Sequence, residues 1–136
     1  MKLMGIDYGR RRIGLAVTDE EGFGIRGLGV IDRKKKDDYF SELISIIRTE
    51  NPQILVFGLP LDIEDKETVM SEEVRRFACK VEKEISLPVE FVDESLSSRK
   101  ASQLLSLRKK KHRRNKALVD RIAACLILER YREDHQ

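Results

Sequence analysis

Apolar and polar positions change their period along this chain. At the start, apolar residues come in short runs: Lys2–Asp7, Arg12–Thr18 and Gly24–Ile31, the second with Ile13, Leu15 and Val17 alternating with small residues. Short runs of this kind predict strands. Tyr8–Arg11 and Asp19-Glu20-Glu21-Gly22 read as tight turns between them, so the three strands predict an antiparallel meander. From Asp37 the spacing becomes helical. Phe40, Leu43, Ile44 and Ile47 share one face of a helix over Asp37–Glu50, with Asp37 and Asp38 suited to its first turn and Asn51-Pro52 ending it.

Helix and strand then alternate. Gln53–Gly58 (QILVFG) predicts a strand buried on both faces. Met70, Val74, Phe77, Ala78, Val81 and Ile85 predict a long helix over Glu67–Ile85, and Pro88–Asp93 predicts a fifth strand. Ser97 suits the cap of a helix running to about Leu107, and Ala117–Arg132 predicts the last helix. Helical crossovers between the later strands require parallel pairing. The expected fold is therefore α/β: a mixed five-stranded sheet, made of a three-strand antiparallel meander plus two parallel strands, flanked by helices. Its length of 136 residues predicts a single domain over 1–136.

Charge changes this picture more than composition does. The 27 Lys and Arg nearly balance the 24 Asp and Glu, for a net charge of +3. Yet Arg10-Arg11-Arg12, Arg33-Lys34-Lys35-Lys36 and the run Arg108–Lys116 (RKKKHRRNK) hold 14 of the 27 cations and no acid, leaving −11 on the remainder. Such polarity favours a polyanionic partner; the bland alternative for each cluster is a solvated loop. Nine residues bearing seven positive charges predict a segment that is mobile until a polyanion arrives. No apolar stretch approaches the ~18–20 residues that span a bilayer, and no apolar signal-peptide core follows Met1. The expectation is a cytoplasmic protein with no membrane partner. Cys79 and Cys125 are too few for a disulfide scaffold and are expected in the core.

Three carboxylates stand out. Asp7 ends an apolar strand in GIDYG, where a charge must be paired, solvated in a cleft or bound to a metal; an ordinary turn aspartate is the alternative. Glu94 follows the fifth strand in FVDES, with Asp93 pointing to the opposite face; a helix-dipole partner is its alternative role. Asp120 shares a helix face with Ala123, Ala124 and Ile127, the packed side, although a first-turn dipole partner or a salt bridge to Arg121 or Lys116 would also explain it. Three carboxylates from two strand ends and a helix suit Mg²⁺ or Mn²⁺, and such ions activate water for phosphodiester hydrolysis. The cationic candidates for holding the backbone are Arg10, Arg11, Arg12, Arg108, Lys109, Lys110, Lys111, Arg113, Arg114 and Lys116. His112 and His135 lack an orienting partner. Gly58, Pro60 and Asp62 mark a loop after the fourth strand that reads as a structural turn, with a substrate-contacting loop as the alternative.

The segments GIDYGRRRIGLAVTD, VFGLPLDIED, FVDESLSS and KALVDRIAACLILERY resemble, in order and spacing, four successive motif blocks of the YqgF/RuvX family. The resemblance runs nearly end to end. The first block alone is unspecific, since GIDxG also occurs in actin-like and sugar-kinase ATPases, which pair two such domains. The resemblance implies an RNase H-like fold and a metal site of Asp7, Glu94 and Asp120. It also implies a nuclease maturing the 5′ end of precursor 16S ribosomal RNA, so structured RNA comes first as substrate and ribosomal particles as partners. Branched DNA comes second, from the family's Holliday junction resolvase-like label, and a non-catalytic nucleic-acid-binding module is the alternative of another class. The usual DERLTT reads DESLSS here, so Ser95 replaces an arginine, and the usual glycine turn after GLP reads DIEDKE. A two-fold dimer would suit a resolvase; no sequence feature demands one.

Overall fold

The first apolar run becomes the centre of the sheet because it is covered on both sides. In the computed structural model, which describes residues 1–35, 37–62, 64–93 and 116–135, strand β1 (Leu3–Tyr8) is buried at all six positions. It pairs antiparallel with β2 (Arg12–Thr18), which pairs antiparallel with β3 (Ile25–Asp32). On its other side β1 pairs parallel with β4 (Ile54–Leu59), and β4 pairs parallel with β5 (Val89–Asp93). The sheet order is β3-β2-β1-β4-β5, which is the expected meander plus two parallel strands.

Alternation along each strand sorts its side chains between two layers of helix. On one face Met4, Ile6, Tyr8, Ile13, Leu15, Leu55 and Phe57 form a core with helices α1 (Tyr39–Glu50) and α2 (Val69–Ile85), which contribute Leu43, Ile44, Ile47, Val74, Phe77 and Val81. On the other face Leu3, Ala16, Val56 and Val92 pack against Ala124, Ile127, Leu128 and Tyr131 of α3 (Lys116–Asp134). None of the helices among the described residues is long and apolar enough to cross a membrane.

Several boundaries differ from the sequence expectation. Helix α1 starts at Tyr39, with Asp38 as a cap residue that makes no side-chain capping bond. Helix α2 starts at Val69, because Thr68 and Ser71 form a reciprocal capping box, Ser71 N–H donating to Thr68 Oγ1 at 3.1 Å. Asn51 and Ser86, both in the left-handed region (φ 53° and 58°), end the two helices one and two residues before proline. The core assignment of Cys79 is corrected: it is exposed, because position 79 lies one step outside the Val74–Phe77–Ala78–Val81 stripe. Cys125, half-buried, packs against the core on the α3 side. The helix expected over 97–107 and the run Arg108–Asn115, with its expected mobility, lie outside the described residues.

Candidate active site

Helix α3 lies unusually close to the sheet, and glycine is the reason. A Cβ on Gly5 would sit 2.7 Å from the Ala124 carbonyl oxygen and 2.8 Å from Leu128 Cγ. A Cβ on Gly14 would overlap the Asp120 carbonyl oxygen and sit 2.7 Å from its carbonyl carbon. All of these distances are too short for real side chains, so the small residues of β1 and β2 set the height of the helix. Gly14 is also the cross-strand partner of Asp7. One register therefore seats the N-terminal end of α3 beside the end of β1, bringing Asp120, at the start of the helix's second turn, towards Asp7.

The electrostatics reflect that approach. Asp7 is only 7% exposed. Burial first, and the nearby charge of Asp120 second, together push its carboxyl up from the ordinary 3.8 to about 7. Asp120 is held by Arg12, whose Nε donates to Asp120 Oδ2 at 2.8 Å. A buried carboxylate with a second one beside it is a place that a small, hard cation would neutralise, and oxygen donors suit Mg²⁺ or Mn²⁺. Glu94, the third carboxylate, lies outside the described residues; among those described, no three His, Cys, Asp or Glu group as a metal site. Val92, two positions before Glu94, packs on the α3 side of the sheet, the side that carries Asp7.

The three arginines between the end of β1 and the start of β2 each meet a carboxylate. Arg10 Nε donates to Glu73 Oε2 at 3.0 Å, and Arg11 Nε donates to Asp32 Oδ1 at 3.2 Å. Their side chains stay largely open, 67% and 45% exposed, whereas that of Arg12 is 24% exposed. Of the basic run, Lys116 opens α3, and Arg108, Lys109, Lys110, Lys111, Arg113 and Arg114 lie outside the described residues.

Arg33 has a role that sequence alone did not reveal. Its guanidinium donates to Tyr8 Oη and the Gly9 carbonyl, both at 2.9 Å, and to Tyr39 Oη at 3.1 Å. It also lies over the rings of Tyr8 and Tyr39, at 5.0 and 4.5 Å from their centroids. Tyr8 Oη in turn donates to Glu73 at 3.2 Å. Arg33 thus leaves the basic cluster in which its sequence neighbours put it and clamps the turn that follows Asp7. The only prior signal was a tyrosine at each end of the interval, Tyr8 and Tyr39. The loop after β4 is a structural turn: Asp62 Oδ1 accepts from the backbone N–H of Glu64 and Lys66 at 2.8 and 3.0 Å. A hollow of about 570 Å³, lined by Met1, Leu3, Phe23, Tyr131, Arg132 and others, lies at the opposite end of β1 and contains neither carboxylate of the pair.

The model of the family described as "RuvX: Holliday junction resolvase" matches residues 1–134. The chain belongs to the RuvX family. Relatives named "Putative pre-16S rRNA nuclease" include a protein of Oleidesulfovibrio alaskensis, 40% identical over 96% of this chain and 91% of its own length. Another, from Syntrophus aciditrophicus, is 36% identical over 96% of this chain and 87% of its own length. RuvX is thus the sequence family of a resolvase-like nuclease. Among solved structures, RuvC of Thermus thermophilus in complex with a Holliday junction substrate superposes with a TM-score of 0.62. The two share 16% identity, over 100% of this chain and 97% of that one. A fowlpox virus resolvase with Holliday junction DNA gives 0.60 at 13% identity, covering 99% of each chain. These likenesses establish the RNase H-like fold of the resolvases for this RuvX chain.

Proposed function

We propose that this protein is a single-domain, metal-dependent nuclease that hydrolyses phosphodiester bonds in the 5′-end processing of precursor 16S ribosomal RNA. The observation that carries this reading is the convergence of Asp7 and Asp120: a buried carboxylate set against a second one, at the end of the central strand. Asp7, Asp120 and Glu94 would hold Mg²⁺ or Mn²⁺. Bound there, the ion supplies a water of lowered pKa and neutralises charge on the phosphate.

The chain's own residues prepare that chemistry. Asp7 must give up its proton to act as a ligand, and its raised pKa makes ion binding stronger as pH rises towards and past 7. Gly14 keeps Asp120 close, and the Arg33 clamp fixes the backbone of Tyr8 and Gly9 beside Asp7. Arg10 and Arg11, open on the rim, would exchange their carboxylate partners for phosphates of the nucleic acid. Arg12, Lys116 and the cations of 108–114 would add the remaining backbone contacts. The names of the curated relatives favour structured RNA, with cytoplasmic ribosomal precursors as the setting. The family description favours a second reading, cleavage of branched DNA.

Labelled precursor RNAs and four-way DNA junctions, incubated with Mg²⁺ or Mn²⁺, test both readings. Wild type is expected to cut the RNA, and Asp7→Asn to bind it with similar affinity and leave it intact. Junction cleavage with no RNA cleavage would replace the first reading with the second. Undiminished binding with no cleavage of either by wild type would leave a non-catalytic binding module.

A further inference from the structure

Arg12 differs from the two arginines before it. Arg10 and Arg11 pair with Glu73 and Asp32, neither of them in the candidate metal site. Arg12 pairs at 2.8 Å with Asp120, a member of that site, and both side chains are 24% exposed. Its position on β2 is two residues before Gly14, on the same face, the one against which the backbone of Asp120 rests. A fixed positive charge therefore sits at a carboxylate that a divalent ion would also need.

We infer that Arg12 is an exchangeable counter-cation. Without a divalent ion it neutralises Asp120; it competes with the ion for that carboxylate; and, once the ion binds, it turns its guanidinium to a phosphate of the nucleic acid. The inference rests on the metal-dependent nuclease reading and adds an order of assembly, metal before phosphate. The physical grounds are general. Two cations on one carboxylate repel each other and divide its charge, so each weakens the other's hold. Linkage makes that weakening reciprocal. A guanidinium released from a carboxylate keeps its rigid fork of donors, which fits phosphate oxygens equally well.

The test is Mn²⁺ titration by calorimetry of wild type, Arg12→Gln, Arg12→Lys and Asp7→Asn, with no nucleic acid present. Arg12→Gln is expected to bind Mn²⁺ roughly 5- to 50-fold more tightly than wild type, within the usual range of coupling between sites. Arg12→Lys, which keeps the charge, should stay nearer to wild type. In ¹⁵N spectra, the Arg12 Nε–H signal, identified by its loss in Arg12→Lys, should move as Mg²⁺ is added. With a labelled hairpin RNA, Mg²⁺ should strengthen binding more for wild type than for Arg12→Gln. Equal or weaker Mn²⁺ binding by Arg12→Gln overturns the inference, as does an Arg12 signal unmoved at saturating Mg²⁺ or an equal Mg²⁺ gain in RNA binding. If Arg12→Gln does not fold, the wild-type spectra and Arg12→Lys decide. A wild type that binds no Mn²⁺, or an Asp7→Asn that binds it as well as wild type, removes the metal site itself and the inference with it. Failure of Arg12→Gln alone leaves the metal site standing.

Discussion

Replacing Asp7 with asparagine should make the metal-free protein more stable at alkaline pH. Asp7 is 7% exposed, and burial, aided by the charge of Asp120, lifts its carboxyl from 3.8 to about 7. Between those two values the folded chain keeps a proton that the unfolded chain has lost. The folded state then binds more protons, so stability falls as pH rises through this window and levels off above about 7. Each pH unit is worth about 1.4 kcal/mol, so ionised Asp7 costs the fold at most about 4 kcal/mol at pH 8. Asparagine has nearly the same shape and carries no charge to desolvate. At roughly 4 °C per kcal/mol for a chain of this size, Asp7→Asn should melt above wild type at pH 8 by several degrees, with about 15 °C as the ceiling. Near pH 4 the two proteins should melt together. Thermal unfolding followed by circular dichroism in EDTA, from pH 4 to 8, measures the difference, and changes common to both proteins cancel. Mg²⁺ or Mn²⁺ at pH 8 should then raise the melting temperature of wild type and not of Asp7→Asn, since an ion bound only to the folded state stabilises it. A gap between the proteins that stays constant from pH 4 to 8 would refute the account of a buried, destabilising carboxylate.

Three other substitutions probe the supports of the site. Gly14→Ala puts a methyl group against the Asp120 backbone, which cannot rotate away; overpacking of this kind costs about 1–3 kcal/mol and should weaken Mn²⁺ binding, read by melting and by calorimetry. Arg33→Met removes three hydrogen bonds and two ring contacts around the Tyr8–Gly9 turn, so a loss of about 1–3 kcal/mol is expected in urea unfolding. Thr68→Ala breaks the α2 capping box and should cost about 1 kcal/mol, with Mn²⁺ affinity unchanged because the cap touches neither Asp7 nor Asp120.

Among the described residues, element order, sheet type and the two carboxylates that converge were all legible from residue spacing. Asp7 was marked by being a charge at the end of an apolar strand, and Asp120 by small neighbours three and four positions on. Other features were hidden by distance along the chain. Arg33 stood in a run of four cations, and nothing local told it apart from Lys34 and Lys35. Tyr39 follows it by six positions, but Tyr8 and Gly9 reach it only because β1 pairs with β2 and β2 with β3. Cys79 was misplaced because a step of one residue on a helix turns the side chain about 100°, enough to leave the buried stripe.

Local sequence determined which segments are strand or helix, since period, caps and proline act over a few residues. It also determined where charge enters apolar surroundings. Tertiary structure alone decided which charges meet. Arg12 and Asp120 are 108 positions apart, and their pairing depends on α3 settling onto Gly5 and Gly14. Long-range electrostatics follows the packing height of a helix, a quantity no local window contains, and here that height is set by two absent side chains.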